Sequence, residues 1–281
     1  MEKIIKEENP LGYKPVGKLL ASMAIPAVVA NLVNALYNIV DQIFIGQGVG
    51  YLGNAATNIA FPITTMCLAI GLMIGIGSAA NFNLELGRKN IDRAREVAGT
   101  AVGTLVIIGI LLWIIILTFL KPMMISFGAT EKILDYAIEY TGITSFGVPF
   151  LLFSIGSNPL VRADGSPKYS MMAIVIGAIL NTVLDPVFMF VFNMGIAGAA
   201  WATVISEIIS ALLLAYYFTR FKAVKFQMKD FIPKWRFVKV IVSLGIASFI
   251  FQFSTTIIQI TTNNLLKTYG SASVYGSDIP I

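Results

Sequence analysis

Seven stretches of this sequence approach or exceed the roughly 20 largely apolar residues that a helix needs to cross about 30 Å of hydrocarbon. They run over Leu20–Ile45, Ala55–Phe82, Ala98–Leu120, Ile138–Pro159, Tyr169–Phe192, Ile196–Phe218 and Val238–Leu266. Composition agrees: 57% of the 281 residues are hydrophobic and 12% charged, where soluble domains carry roughly 45–50% and about 25%. The expected fold is an all-α polytopic membrane protein. The first run is long and Asn-rich, with no small-residue cleavage pattern behind a short apolar core. It is therefore expected to remain as the first span rather than be removed as a signal peptide.

Net charge is +5, and its distribution decides what it means. Basic residues fall in the N-terminal tail, between spans two and three (Arg88, Lys89, Arg93, Arg95), between four and five (Arg162, Lys168), and from Arg220 to Lys239. Only Lys121, Lys132 and Lys267 lie elsewhere. The positive-inside rule then places the N-terminus in the cytoplasm of a multi-pass protein of the cell membrane. The charge is topological, and no nucleic-acid partner is implied. The lipid bilayer is the expected surrounding.

The connector Arg220–Lys239 is the longest, and it marks an organisational boundary. Residues 1–219 are read as a six-helix lobe, 220–237 as a cytoplasmic basic linker, and 238–281 as the first helix and the start of the second of another lobe. Span seven echoes span one. Ile25–Phe44 carries Asn31, Asn34, Asn38 and Asp41, while Ile246–Leu265 carries Gln252, Thr255, Gln259 and Thr262 at the same offsets. With a short gap, Phe61-Pro62-Ile63 also lines up with Ile279-Pro280-Ile281. An even number of spans per repeat gives both copies the same orientation, as in parallel transporter repeats. The expectation is a second, pseudo-symmetric lobe of which this chain carries only the beginning.

Asp185 and Asn181 stand inside an otherwise lipid-like span. A carboxylate in the bilayer costs a few kcal/mol or more, so it belongs in a protein-lined or wet site. At 1.5 Å rise per residue, Asp185 and Thr203 lie roughly 10 Å from the outer ends of spans five and six, and Asp41 about 7 Å from that of span one. All three can meet in the outer half of the membrane. Asn181 is one turn from Asp185 on the same face, and Asn31, Asn34, Asn38 and Asp41 line one face of span one. Interhelical hydrogen bonding is the alternative role for the amides. Pro186 and Pro26 leave the carbonyls of Thr182 and Ser22 without a helical donor, so both helices are expected to bend or expose oxygens near these polar groups.

Other features carry less chemistry. Glu207, near the middle of span six and one turn from Thr203, reads either as a second titrating group or as a hydrogen-bonded neutral acid. Gly71, Gly75 and Gly77 mark close helix packing. Cys67 is the one cysteine; it excludes an internal disulfide and reads as a small buried side chain. Arg162-Ala-Asp-Gly165 reads as a tight cytoplasmic turn and Arg88–Arg95 as a solvated loop helix, both anchoring at the lipid surface. With no histidine, no P-loop and no Gly-rich nucleotide fingerprint, neither a triad, a metal site of the usual ligands, an ATP site nor a cofactor is indicated.

The first span with Pro26 and NIVDQIFIG (38–46), the turn RADGSP (162–167), NTVLDPVFMF (181–190) and GIAGAAWATVIS (195–206) together resemble the multidrug and toxic compound extrusion (MATE) transporters, particularly their prokaryotic branches. The resemblance covers the whole chain. It implies twelve helices in two six-helix lobes around a central cavity, of which seven spans are present here. It also implies exchange of small, cationic and amphiphilic drugs for entering protons or sodium ions, with no enzymatic activity. The family's cation site maps onto Asp41, Asn181, Asp185 and Thr203, with Ala199 as the small residue one turn before the threonine. Oxygen donors of these types suit sodium, and a buried carboxyl suits a proton; residue types do not choose between them. Glu207 stands where an uncharged polar residue is expected, so no role is carried over to it. A flippase for lipid-linked precursors is the near alternative; it would be expected to line its cavity with arginines, and none lies deep within the first six spans. A membrane-embedded enzyme and a scaffolding bundle are the readings from other classes.

Overall fold

The computed structural model describes residues 15–270. The expected pairing of Ile279-Pro280-Ile281 with the second span lies outside the described residues. Seven helices are long and apolar enough to cross a membrane, and no strand occurs among the described residues. The first span is Val16–Gly48, the second Tyr51–Gly87 and the third Ile91–Thr118. The fourth is built from Glu131–Thr144, a 3-10 turn Ser145–Gly147 and Val148–Ala163. The fifth is Pro167–Pro186 extended by a π turn Val187–Val191, the sixth Ile196–Phe218 and the seventh Trp235–Gly270. A short helix, Leu120–Ser126, precedes the fourth span.

The helices mostly outrun the apolar stretches that announce them, because polar residues continue the hydrogen-bond ladder past the hydrocarbon. Arg88–Arg95 is the clearest correction. It is no separate loop helix: the second span reaches Gly87, Lys89 turns the chain at φ 60, and Asn90 starts the third span by accepting the Arg93 N–H at 3.3 Å. The fourth span begins earlier than expected and breaks its α geometry at Ser145–Gly147. Pro149 has no N–H to return to the Ser145 carbonyl, which accounts for the tightened turn.

The turn at RADGSP is present, and its chemistry is more than surface anchoring. Gly165 takes φ 81, with its N–H on the Arg162 carbonyl and the Ser166 N–H on the Val161 carbonyl. This is a Schellman closure, followed by Pro167 in the first turn of the next helix. Asp164 is buried at 6% exposure and accepts from the Tyr217 hydroxyl at 2.7 Å and from the backbone N–H groups of Lys222 and Ala223, each at 2.8 Å. Burial pushes the Asp164 carboxyl up from its ordinary range while those donors pull it back. The carboxylate thus fastens the start of the basic connector to the turn between spans four and five. Asp164→Ala is expected to cost about 2 kcal/mol, the scale of hydrogen bonds to a charged group. Faster tryptic cleavage at Lys222 in native membranes checks this; an unchanged rate rejects it.

The rest of the connector is docked onto the third span. Asp230 is 2% exposed, accepts the Gln227 N–H at 2.7 Å and pairs with Arg95 at 3.2 Å. Lys234 and Arg236 pair with Glu96 at 2.6 and 3.1 Å. Gly99 and Gly103 let the connector backbone approach: a Cβ on either would run into the backbone of Asp230 or Phe231.

The small-residue run in the second span divides its work between two neighbours. A Cβ on Gly75 would lie 2.6 Å from the Gly156 carbonyl oxygen, so Gly75 serves the fourth span. Gly77 faces the seventh: its Cβ would overlap the Ile241 carbonyl, and a Cβ on Gly245 would overlap the Met73 carbonyl. Span seven is further tied to span two by the Thr256 hydroxyl donating to Thr65 at 2.8 Å and by the Asn263 amide reaching the Asn58 carbonyl at 3.4 Å. Its buried polar residues are Thr256 and Asn263, whereas the echo residues Gln252, Thr255, Gln259 and Thr262 are half-buried or exposed. Cys67 is buried, as its bland reading expects.

Candidate functional site

The first span packs along the fifth, and the fifth along the sixth. This order brings side chains of all three together near the end of the bundle that carries residues 48–51 and 187–196. Asn181 and Asp185, four residues apart, share one face of span five. The Asn181 amide donates to Asp185 Oδ1 at 3.3 Å and to Thr203 Oγ1 at 3.4 Å. The Asp41 and Asp185 carboxyl groups are close enough to interact electrostatically. Asp41, Asn181 and Asp185 are buried, at exposures of 7%, 2% and 0%, and Thr203 is half-buried. The structure therefore brings Asp41, Asn181, Asp185 and Thr203 into one cluster.

One oxygen on each of Asp41 (Oδ1), Asn181 (Oδ1) and Asp185 (Oδ2) is buried without a hydrogen-bond partner. Buried polar atoms are almost always paired, so three such oxygens in one place are unusual. Two facing carboxyl groups repel when both are ionised, and a proton or a hard cation relieves that repulsion. Carboxylate, amide and hydroxyl oxygens suit a hard cation, whereas soft thiolate chemistry is absent from the cluster. Among the described residues no group of three or more His, Cys, Asp or Glu side chains is arranged for a metal ion, so any metal here would rest on two carboxylates with neutral oxygens completing the shell.

The remaining expected residues separate. Ala199 packs with Ile45 and Met189 in a small apolar cluster at this end of the bundle. Pro186 stands at the change from α to π geometry directly after Asp185, where such turns often mark functional sites. Pro26 is also inside a helix, 15 residues from Asp41 or about 22 Å along the axis, and lies beside Asn31 and Asn34 rather than beside the carboxylates. Asn34 and Asn38 are exposed, and the Asn38 amide donates to the Asn34 carbonyl at 2.7 Å rather than to either aspartate. Gln42 was not singled out, yet its amide lies 3.5 Å from Asp41 Oδ2 and its oxygen accepts from Thr57 at 3.1 Å. Its position beside Asp41 was the available signal, since a second polar residue at that depth also needs a partner.

A cavity runs between spans one, two, four, five and six, away from the carboxylates and toward the basic end of the bundle. Asn181 and Thr203 line it, whereas Asp41 and Asp185 do not. The Asn181–Thr203 hydrogen bond is thus the partition between the cavity and the carboxyl pair. Glu207, one turn from Thr203, also lines the cavity, as do Asn34, Tyr37 and Pro26. Arg162 lines its basic end.

Residues 26–187 match the family model MatE. The chain is 25% identical over 262 residues to the multidrug export protein MepA of Staphylococcus haemolyticus (strain JCSC1435), covering 92% of this chain and 57% of that protein. Among solved structures, it is similar to an inward-facing conformation of a multidrug resistance MATE family transporter of the MOP superfamily. That match has a TM-score of 0.79 and 28% identity, over 87% of this chain and 57% of the other. An outward-facing conformation described in the same words matches with a TM-score of 0.78 and 29% identity, over 85% and 53%. The chain spans somewhat over half the length of these relatives.

Proposed function

The chain belongs to the MatE family, and from that premise we propose that it forms the first lobe, with the first helix of a second, of a cation-coupled exporter of multiple drugs. The observation that carries this reading is the Asp41–Asp185 pair with three unpartnered oxygens around it, divided from an adjoining cavity by Asn181 and Thr203. Coupling requires that ion and drug bind different conformations of one protein differently. A buried acid pair is suited to this, because its repulsion is relieved only when a proton or sodium ion is held between Asp41, Asn181, Asp185 and Thr203. Asn181, hydrogen-bonded to both Asp185 and Thr203, would pass that change to the cavity wall. Relatives described in inward-facing and outward-facing conformations support an alternating-access cycle. The carboxylate of Glu207 within the cavity, with Arg162 confined to its end, favours cationic drugs over the phosphate-bearing precursors of a flippase.

The test is ethidium uptake into everted membrane vesicles carrying the native gene product, energised separately by a proton and a sodium gradient. Uptake driven by at least one is expected, and uptake by neither overturns the reading.

The basic end of the bundle is proposed to face the cytoplasm. With Cys67 replaced by Ala, a cysteine at Tyr51, which is 64% exposed, is expected to react with an impermeant maleimide added to intact cells. A cysteine at exposed Lys168 is expected to react only after lysis. The reverse pattern would invert the topology.

A further inference from the structure

Glu207 is the acidic residue of the cavity wall that the coupling cluster leaves unused. Among the described residues it has neither an ion pair nor a hydrogen-bond partner, unlike Asp41, which accepts from Gln42, and Asp185, which accepts from Asn181. A permanently neutral acid in this position would be expected to donate its proton to an acceptor, and no hydrogen bond of Glu207 is formed among the described residues. An ionised one lacks a counter-ion: Glu207 Oε2 sits against Gly147, while Arg162 lies at the far end of the same helix, about 22 Å away at 1.5 Å per residue. Room for the carboxylate is specific, since a Cβ on Gly147 would collide with Glu207 Oε2. An uncompensated carboxylate midway across a membrane costs several kcal/mol, so its compensation is to be sought in what enters the cavity.

The walls around it describe that molecule. Leu68, Leu72, Ile155 and Ile174 are apolar, and Tyr37 adds an aromatic ring able to receive a cation over its face. We infer that Glu207 holds the positive charge of an amphiphilic organic cation in this cavity, apart from the Asp41–Asp185 pair. Because Glu207 lies four residues from Thr203 toward the basic end, about 6 Å along the axis, such a molecule entering from that end meets Glu207 before the Asn181–Thr203 partition. Drug charge and coupling ion then occupy separate carboxylates that communicate through one turn of span six. This assignment rests on the exporter reading, and it specifies which acid recognises the drug.

The test compares binding of ethidium, a cation, and Nile red, an uncharged dye, to the purified native gene product by fluorescence anisotropy. Glu207→Gln is expected to weaken ethidium on the order of tenfold or more, as loss of a desolvated charge partner does, with Nile red little changed. Glu207→Asp, which keeps the charge, is expected to restore part of the loss. Should Glu207→Gln not fold, Gly147→Ala carries the test, because it displaces the carboxylate without removing it; the same selective loss of ethidium is expected. Ethidium affinity within about twofold of wild type in either folded variant overturns the assignment, as does an equal loss of both dyes, which would mark a packing role. Wild-type protein that binds neither ethidium nor tetraphenylphosphonium instead rejects the exporter reading, and the assignment with it.

Discussion

Replacing Asp41 and Asp185 together by Asn is expected to abolish ion-driven drug uptake into everted vesicles, with protein level and melting temperature close to wild type. The amide is nearly isosteric with the carboxyl and easier to bury, so the fold should tolerate it; both positions are already almost fully buried. Coupling should not survive. The two carboxyl groups within reach of one another make the ion-free state costly, and without them ion-bound and ion-free protein differ too little to bias a conformational equilibrium. A ligand that binds two states equally shifts neither, so uptake should fall to the level of empty vesicles under both proton and sodium gradients. Asn181→Ala and Thr203→Ala each remove one neutral ligand or hydrogen bond, worth roughly 0.5–1.5 kcal/mol, and should reduce uptake by about two- to tenfold. Wild-type uptake by a well-expressed double Asp mutant would make the pair structural and leave Glu207 as the remaining candidate for coupling.

The second large effect is expected at the contact between spans two and seven. Gly77 faces the carbonyl of Ile241, and Gly245, four residues after Ile241, faces the carbonyl of Met73, four residues before Gly77. The contact is reciprocal, backbone against backbone, so an added methyl has no flexible side chain to push aside. In lipid, where water supplies no drive for helix association, packing of this kind holds helices together. Gly77→Ala with Gly245→Ala should force the helices apart at a cost of about 1–3 kcal/mol for each site. A drop of roughly 5–10 °C in melting temperature is expected for the pair, read by size-exclusion of heated detergent extracts. Gly87→Ala is the control: nothing lies within 4 Å of its Cβ position, so it should be neutral. Equal melting temperatures for all three proteins would show that the close approach is not needed.

The site was legible in the sequence to the extent that polarity at depth is legible. Asp41, Asn181, Asp185 and Thr203 stand out because lipid-facing spans rarely carry such residues, and one-turn spacing puts Asn181 and Asp185 on one face before any coordinates are known. Gln42 escaped because it falls outside the spacing that groups Asn31, Asn34, Asn38 and Asp41. Asn34 and Asn38 illustrate the converse. Their periodicity places them on the face of Asp41, but the face of a helix is wider than the contact it makes with its neighbour, and neither amide reaches the carboxylates. Asp164 was hidden inside a turn motif, since a turn signal says how the chain reverses and nothing about what the freed carboxylate will meet.

The sequence by itself marked the seven apolar spans found among the described residues and the height along each helix at which its polar residues stand. Hydrocarbon thickness and helix rise convert a one-dimensional pattern into length and height with no knowledge of neighbours. It likewise marked Gly71, Gly75 and Gly77 as packing positions, but not that Gly75 serves span four while Gly77 serves span seven. That division was decided by tertiary structure, as were the docking of the connector through Asp230 and Asp164, the Asn181–Thr203 partition, and the placing of Glu207 against Gly147 without a counter-ion. Each depends on the azimuth of one helix relative to another. Lipid treats all apolar faces alike, so only the close contacts of glycine, carbonyl and buried polar groups select which face turns to which partner.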